Sequence, residues 1–151
     1  MGRHKRQYQP QPFESAGKSK AYIAIYPDMM DSPAYHDLTP TQRDLYLWCK
    51  RQLYGQKDIS GMPQHYFYFN RAMWCDKYHL YGDGNRAGFS RDMEALISHG
   101  FVDCVWSGKM SRTKSIYRLS SRWHDYGTPR FTVPDDCITE GMRRKKLHSL
   151  A

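Results

Sequence analysis

The chain has 151 residues and a formal net charge of +8, a length that predicts one domain of ordinary size. Leu, Ile, Val and Phe number only 24, which with that charge is the composition expected of a disordered chain. The 12 Tyr, 4 Trp and 8 Met supply the missing bulk, so a folded domain with a core rich in rings and thioethers is expected instead. No apolar run approaches the roughly 18 residues of a transmembrane helix. The start, MGRHKRQYQPQPFES, is unlike a signal peptide, so a cytoplasmic protein is expected. Cys49, Cys75, Cys104 and Cys137 lack the close spacing of a zinc site, and reduced thiols filling small spaces are expected. Lys and Arg outnumber Asp and Glu by 23 to 15, which favours a polyanionic partner.

Residues 1–20 carry a net +4 without periodicity and read as a disordered basic arm. AYIAIY at 21–26 is a strand candidate, and residues 29–35 are a turn of helix or a loop. Thr39 caps a helix that opens on Pro40, buries Leu45, Trp48, Cys49 and Leu53, and stops at Gly55. A loop over 56–64 leads to a strand over 65–69, whose rings are expected to pack in a core or dimer rather than stack on bases. Asn70 caps a weaker helix over 71–80, and Gly82-Asp83-Gly84 is a turn. Asn85 then caps the strongest helix, 86–99, with Phe89, Met93, Leu96 and Ile97 on one stripe and Gly100 at its end. The period then changes to two: strands over 101–106 and 114–119 form a hairpin around a basic loop. The expected organisation is an arm (1–20), a domain (21–126) and a basic tail (127–151) that ends in Arg143-Arg144-Lys145-Lys146.

Helix, short strand, helix, tight turn, helix and basic hairpin, over roughly residues 38–120, resemble a winged helix-turn-helix DNA-binding domain. The most specific part is F-x-R-D-M-E-A-L-I-S-H-G-F-V, where Phe89-Ser90-Arg91 falls on the Ser-Arg position of that family's recognition helix and Gly100-Phe101-Val102 on the start of its wing. The resemblance implies an α+β fold, a three-helix core with a β-hairpin wing, here with flexible basic termini. More narrowly, YIAIYPDMMDSPAYHDLTPTQRDLYLWCKRQLYG and YRLSSRWHDYGTP are similar to small winged-helix proteins of Gram-positive conjugative and other mobile elements. That implies transcriptional control, or DNA handling in transfer or replication. The chain departs from the family at Gly88, where a Thr or another polar residue is usual, and in the flexible GDG turn.

The major groove, about 12 Å wide, admits one α-helix with an apolar face on its domain and a polar face on the bases. Residues 86–99 have both. Asn85, Arg86, Ser90 and Arg91 are the expected major-groove residues, because Arg suits guanine and Asn suits adenine. Lys109, Arg112 and Lys114 of the wing are expected on the flanking backbone, with Arg43, Arg71 and Lys77 as further phosphate contacts. Residues 101–123 hold five Lys/Arg, Arg118 and Arg122 among them, against Asp103, while residues 69–100 are neutral. Positive charge is therefore expected from the wing and the termini. No HExxH, GxSxG, P-loop or GxGxxG occurs, so neither an enzyme nor a cofactor or metal is expected. The expected partner is double-stranded DNA, with a homodimer or other mobile-element proteins beside it and no membrane. Two alternatives stand: an accessory protein that binds a transfer or replication origin, and a winged-helix protein–protein module marked by an apolar patch of Tyr and Met.

Overall fold

Three prolines set the helix starts in the first part of the chain. The computed structural model describes residues 22–52, 66–108 and 114–134, and in it Pro27, Pro33 and Pro40 each open a helix, where a missing N–H costs no hydrogen bond. These helices are α1 (Pro27–Met30), α2 (Pro33–His36) and α3 (Pro40–Arg51). Strand β1 (Tyr66–Phe67), a π-helical segment (Ala72–Lys77), α4 (Arg86–Ser98), β2 (Val102–Trp106), β3 (Ile116–Leu119) and a 3-10 turn (Arg122–Asp125) follow. The architecture is α+β, with helices over one antiparallel sheet of order β1-β3-β2. Tyr66 and Asp103 flank Arg118 in one row, and Phe67 and Cys104 flank Tyr117 in the next. One extra residue, Val105, breaks the register before Trp106 pairs with Ile116.

The capping expectations hold at atomic detail. Thr39 and Gln42 form a reciprocal capping box on α3, with bonds of 3.3 and 2.9 Å. Asn85 Oδ1 accepts from the Gly88 amide at 3.1 Å and caps α4. Gly100, at φ +86°, closes α4. Its amide donates to Ile97 and that of Phe101 to Leu96, the paired bonds of a Schellman stop. Leu45 and Cys49 of α3 meet Phe89, Met93, Leu96 and Ile97 of α4 in the core, closed by Phe67 and Val102 of the sheet.

Several expectations on local structure change. Residues 22–26 form no strand. The Ala24 carbonyl accepts from Lys50 Nζ of α3 at 2.6 Å, which uses a backbone group that a sheet would need. The 65–69 strand shrinks to Tyr66–Phe67, and residue 65 lies outside the described residues. The helix over 71–80 is replaced by the π-helical segment, in which Tyr78 N bonds Met73 O at 2.9 Å. Trp74 within it stacks on Phe89 (5.5 Å between centroids), and Tyr78 at its end stacks on Trp48 (4.4 Å). The chain beyond Tyr126, assigned to the tail, continues onto the domain. Phe131 meets Tyr126 edge-on at 5.3 Å, and Val133 packs on the core. The arm over 1–20, the expected end of α3 at Leu53 and Gly55, the loop over 56–64 and the basic cluster 143–146 lie outside the described residues.

A Cβ at Gly100 would stand 2.5 Å from the Trp123 backbone nitrogen and 2.7 Å from the Arg122 carbonyl carbon. Gly100→Ala should therefore lower stability by about 2–4 kcal/mol, combining left-handed strain with a backbone collision. Urea unfolding measures it, and a loss below about 0.5 kcal/mol would show that the close approach is not needed.

Candidate nucleic-acid interface

Helix α4 divides cleanly into two faces. Phe89, Met93, Leu96 and Ile97 are buried, while Arg86, Ser90 and Arg91 are exposed. The buried stripe fixes the roll of the helix, and the roll decides which side chains a ligand meets.

A second device fixes its position along the domain. Asp92 is buried, and its carboxylate accepts the Tyr81 hydroxyl at 2.7 Å and Gln42 Nε2 at 3.3 Å. Tyr81 belongs to the turn before α4 and Gln42 to the capping box of α3. One carboxylate thus ties three elements together. Burial and the adjacent carboxylate push the Tyr81 phenol well above its ordinary range, so it stays a donor. Arg91 lies beside the same carboxylate, Nε to Oδ1 3.6 Å, with its side chain 71% exposed against 4% for Asp92.

The expected contact residues fare differently. The side chains of Arg86 and Ser90 make no hydrogen bond or ion pair among the described residues and are exposed. Asn85 is exposed but caps α4 through Oδ1. Gly88 accounts for the departure noted above, since a Cβ there would lie 2.7 Å from Asn85 Nδ2 and 2.8 Å from Oδ1. The glycine leaves room for the cap.

Among the auxiliary cations, Arg43 donates to the Tyr35 carbonyl at 3.1 and 3.2 Å and covers the Tyr35 ring, so its guanidinium serves the fold. Arg71 pairs with Asp83 in the GDG turn, and both are exposed. Lys77 lies over the Tyr78 ring at 5.5 Å. Lys114 Nζ sits 3.7 Å from the centre of the Tyr68 ring. Lys109 and Arg112 lie outside the described residues.

Two arginines counted toward wing charge are tied to a buried carboxylate instead, Arg118 while staying half exposed and Arg122 by turning inward. Asp103 is buried and accepts Arg118 Nε at 3.2 Å and Arg122 Nε at 2.9 Å. Arg122, 17% exposed, also donates to the carbonyls of Ile97, Val102 and Thr132. Sequence reasoning missed both carboxylate hubs, because an isolated Asp reads as a charge on a solvated face. For Asp103 a signal existed, since period-two alternation sets it beside Arg118 on one face of a hairpin.

Among the described residues, no group of three or more His, Cys, Asp or Glu is placed to hold a metal ion, and no helix is long and apolar enough to cross a membrane. Cys49 and Cys104 are buried, and burial raises the Cys49 thiol well above its ordinary range. Comparison of the chain with protein-family models, with curated proteins and with solved structures finds no match.

Removing the Tyr81 hydroxyl takes a donor from the buried Asp92 carboxylate. Tyr81→Phe should cost about 1.5–3 kcal/mol in chemical unfolding. An unchanged midpoint would mean that solvent or another donor replaces it.

Proposed function

We propose that this chain is a winged helix-turn-helix protein that binds double-stranded DNA with sequence preference, as a cytoplasmic transcriptional regulator encoded on a mobile genetic element. The observation that carries the reading is the outward face of α4. Arg86, Ser90 and Arg91 stand exposed along one side of a helix whose other side is buried. The connectivity supports it: helix, short strand, helical turn, helix, then a hairpin whose second strand pairs with the first strand of the domain. In that order Arg86 and Ser90 stand exposed on the N-terminal half of α4, and Lys114 lies at the loop end of the hairpin, just before β3.

Within this reading, Arg86 and Arg91 have the fork geometry for guanine O6 and N7, and Ser90 serves either base or phosphate. The α4 N-terminus, capped by Asn85, favours a phosphate nearby. Arg71 and Lys77 flank the turn before α4, where backbone contacts add affinity without sequence information. Binding at a transfer or replication origin uses the same surface, and only the location of the target distinguishes it from a promoter.

A second reading, a protein–protein module, is favoured by one observation. Tyr22, Ile23, Tyr26 and Met30 are exposed along a single short stretch, Tyr22 at 61% and Tyr26 at 65%. Chain association through this stretch is compatible with DNA binding on α4.

Selection from random duplex DNA at two salt concentrations tests the first reading. It should yield one enriched motif, with affinity falling as salt rises. Arg91→Ala should then cost about 1–3 kcal/mol on the motif and much less on random duplex. Equal loss on both would refute base reading by Arg91, and no enrichment with salt-independent retention would favour the protein-binding module.

A further inference from the structure

The outward face of the sheet shares only Lys114 with the residues assigned above to duplex binding. Alternation sends Phe67, Cys104, Tyr117 and Leu119 toward the core and the residues between them to the opposite side. Tyr66, Arg118 and Asp103 make one cross-strand row there, and the extra residue Val105 brings Trp106 opposite Ile116 in the next. Ile116 is buried yet stands apart from the core cluster, so this face has an apolar floor of its own. Lys114, two residues before Ile116, places its ammonium over the Tyr68 ring.

Trp106 is the exception among the tryptophans. Its side chain is 55% exposed, while Trp74 is buried and Trp48 and Trp123 pack on the core. An indole held outward on a strand, on the same sheet face as Tyr66, Arg118 and Lys114, is an arrangement that can stack on unpaired bases. Charge decides the kind of occupant. Lys114 and the half-exposed Arg118 share this side with one strand carboxylate, Asp103, which is itself buried, while Arg122 is engaged by Asp103 and three backbone carbonyls. The two outer strands lie about 10 Å apart across β3. A nucleic-acid strand crossing the sheet can therefore set a base on Trp106 and another on Tyr66, with Arg118 beneath the phosphate between them.

We propose that the outward sheet face binds single-stranded DNA, Trp106 stacking on a base and Lys114 and Arg118 meeting the phosphates. The choice of DNA rests on the duplex-binding reading, since the β2–β3 hairpin belongs to both surfaces. The stacking itself rests on the residues of the sheet. The two surfaces share Lys114 but differ in the side chains that meet the bases, Arg86, Ser90 and Arg91 for the duplex and Trp106 for the single strand.

The test uses the full chain with three fluorescent probes: oligothymidine of about 12 bases, oligouridine of the same length, and a blunt duplex, each read by anisotropy at low salt. Oligothymidine should bind. Trp106→Ala should weaken it about tenfold or more, Trp106→Phe should restore most of the loss, and duplex affinity should stay within about twofold in both variants. Circular dichroism checks that both variants are folded. Absence of oligothymidine binding, indifference to Trp106→Ala, an equal loss on the duplex, or tighter binding of oligouridine would each overturn the proposal. Failure of the duplex reading instead shows as lost duplex binding with the oligothymidine result intact.

Discussion

The structure depends on one buried carboxylate, that of Asp103. It lies on β2, takes Arg118 from β3 and Arg122 from the turn beyond, and through Arg122 reaches the carbonyls at the end of α4 and in the C-terminal stretch. Removing one partner of such a cluster leaves an uncompensated charge and costs about 3–5 kcal/mol, although the intact cluster adds little net stability. Its larger contribution is geometric. The end of α4, both hairpin strands and the segment around Thr132 are fixed relative to one another. Gly100 sits at the same junction, where its hydrogen atom lets the turn pass against Trp123.

A second carboxylate repeats the device on the other side of α4. Asp92 gathers Tyr81, Gln42 and the neighbouring Arg91. The helix is therefore oriented by its apolar stripe, located by Asp92 and ended at the Asp103 cluster. Few degrees of freedom remain for its outward face, which is what a surface that reads bases requires. The same pairings redistribute charge. Arg122 is neutralised largely within the fold, Arg118 bonds Asp103 while staying half exposed, and Arg43 is held by backbone carbonyls. Arg86 and Arg91 stay outward on α4, as do Arg71 and Lys77 before it and Lys114 on the hairpin.

What the sequence revealed follows from the range of each interaction. Thr39-Pro40, Asn85 and Gly100 mark helix ends through contacts within five residues, so they are readable locally, as is the stripe from Phe89 to Ile97. The extended run at 22–26 is not. Its alternation of Tyr, Ile and Ala fits a strand, yet a long-range bond from Lys50 decides its fate. The π-helical segment accompanies the stacking of Trp74 and Tyr78 on partners from two different helices, which no window of adjacent residues contains. The contact residues divide in the same way. Arg86, Ser90 and Arg91 follow from the unburied side of a readable stripe. The inward turn of Arg122, toward residues 19 and 25 positions earlier, is a property of the tertiary fold. Trp106 closes a strand whose alternation is plain, but the extra residue Val105 sets it opposite Ile116, and a bulge leaves no clear mark in sequence.

The central claim is that the outward face of α4 is where duplex DNA docks. Backbone amide shifts of isotope-labelled protein, followed as a selected duplex is added, test it most directly. The account predicts the largest changes at Arg86, Ser90 and Arg91 and at Lys114 on the hairpin, with the stretch around Tyr22 and Tyr26 unmoved. Changes confined to that apolar stretch, with α4 silent at saturating duplex, would contradict it.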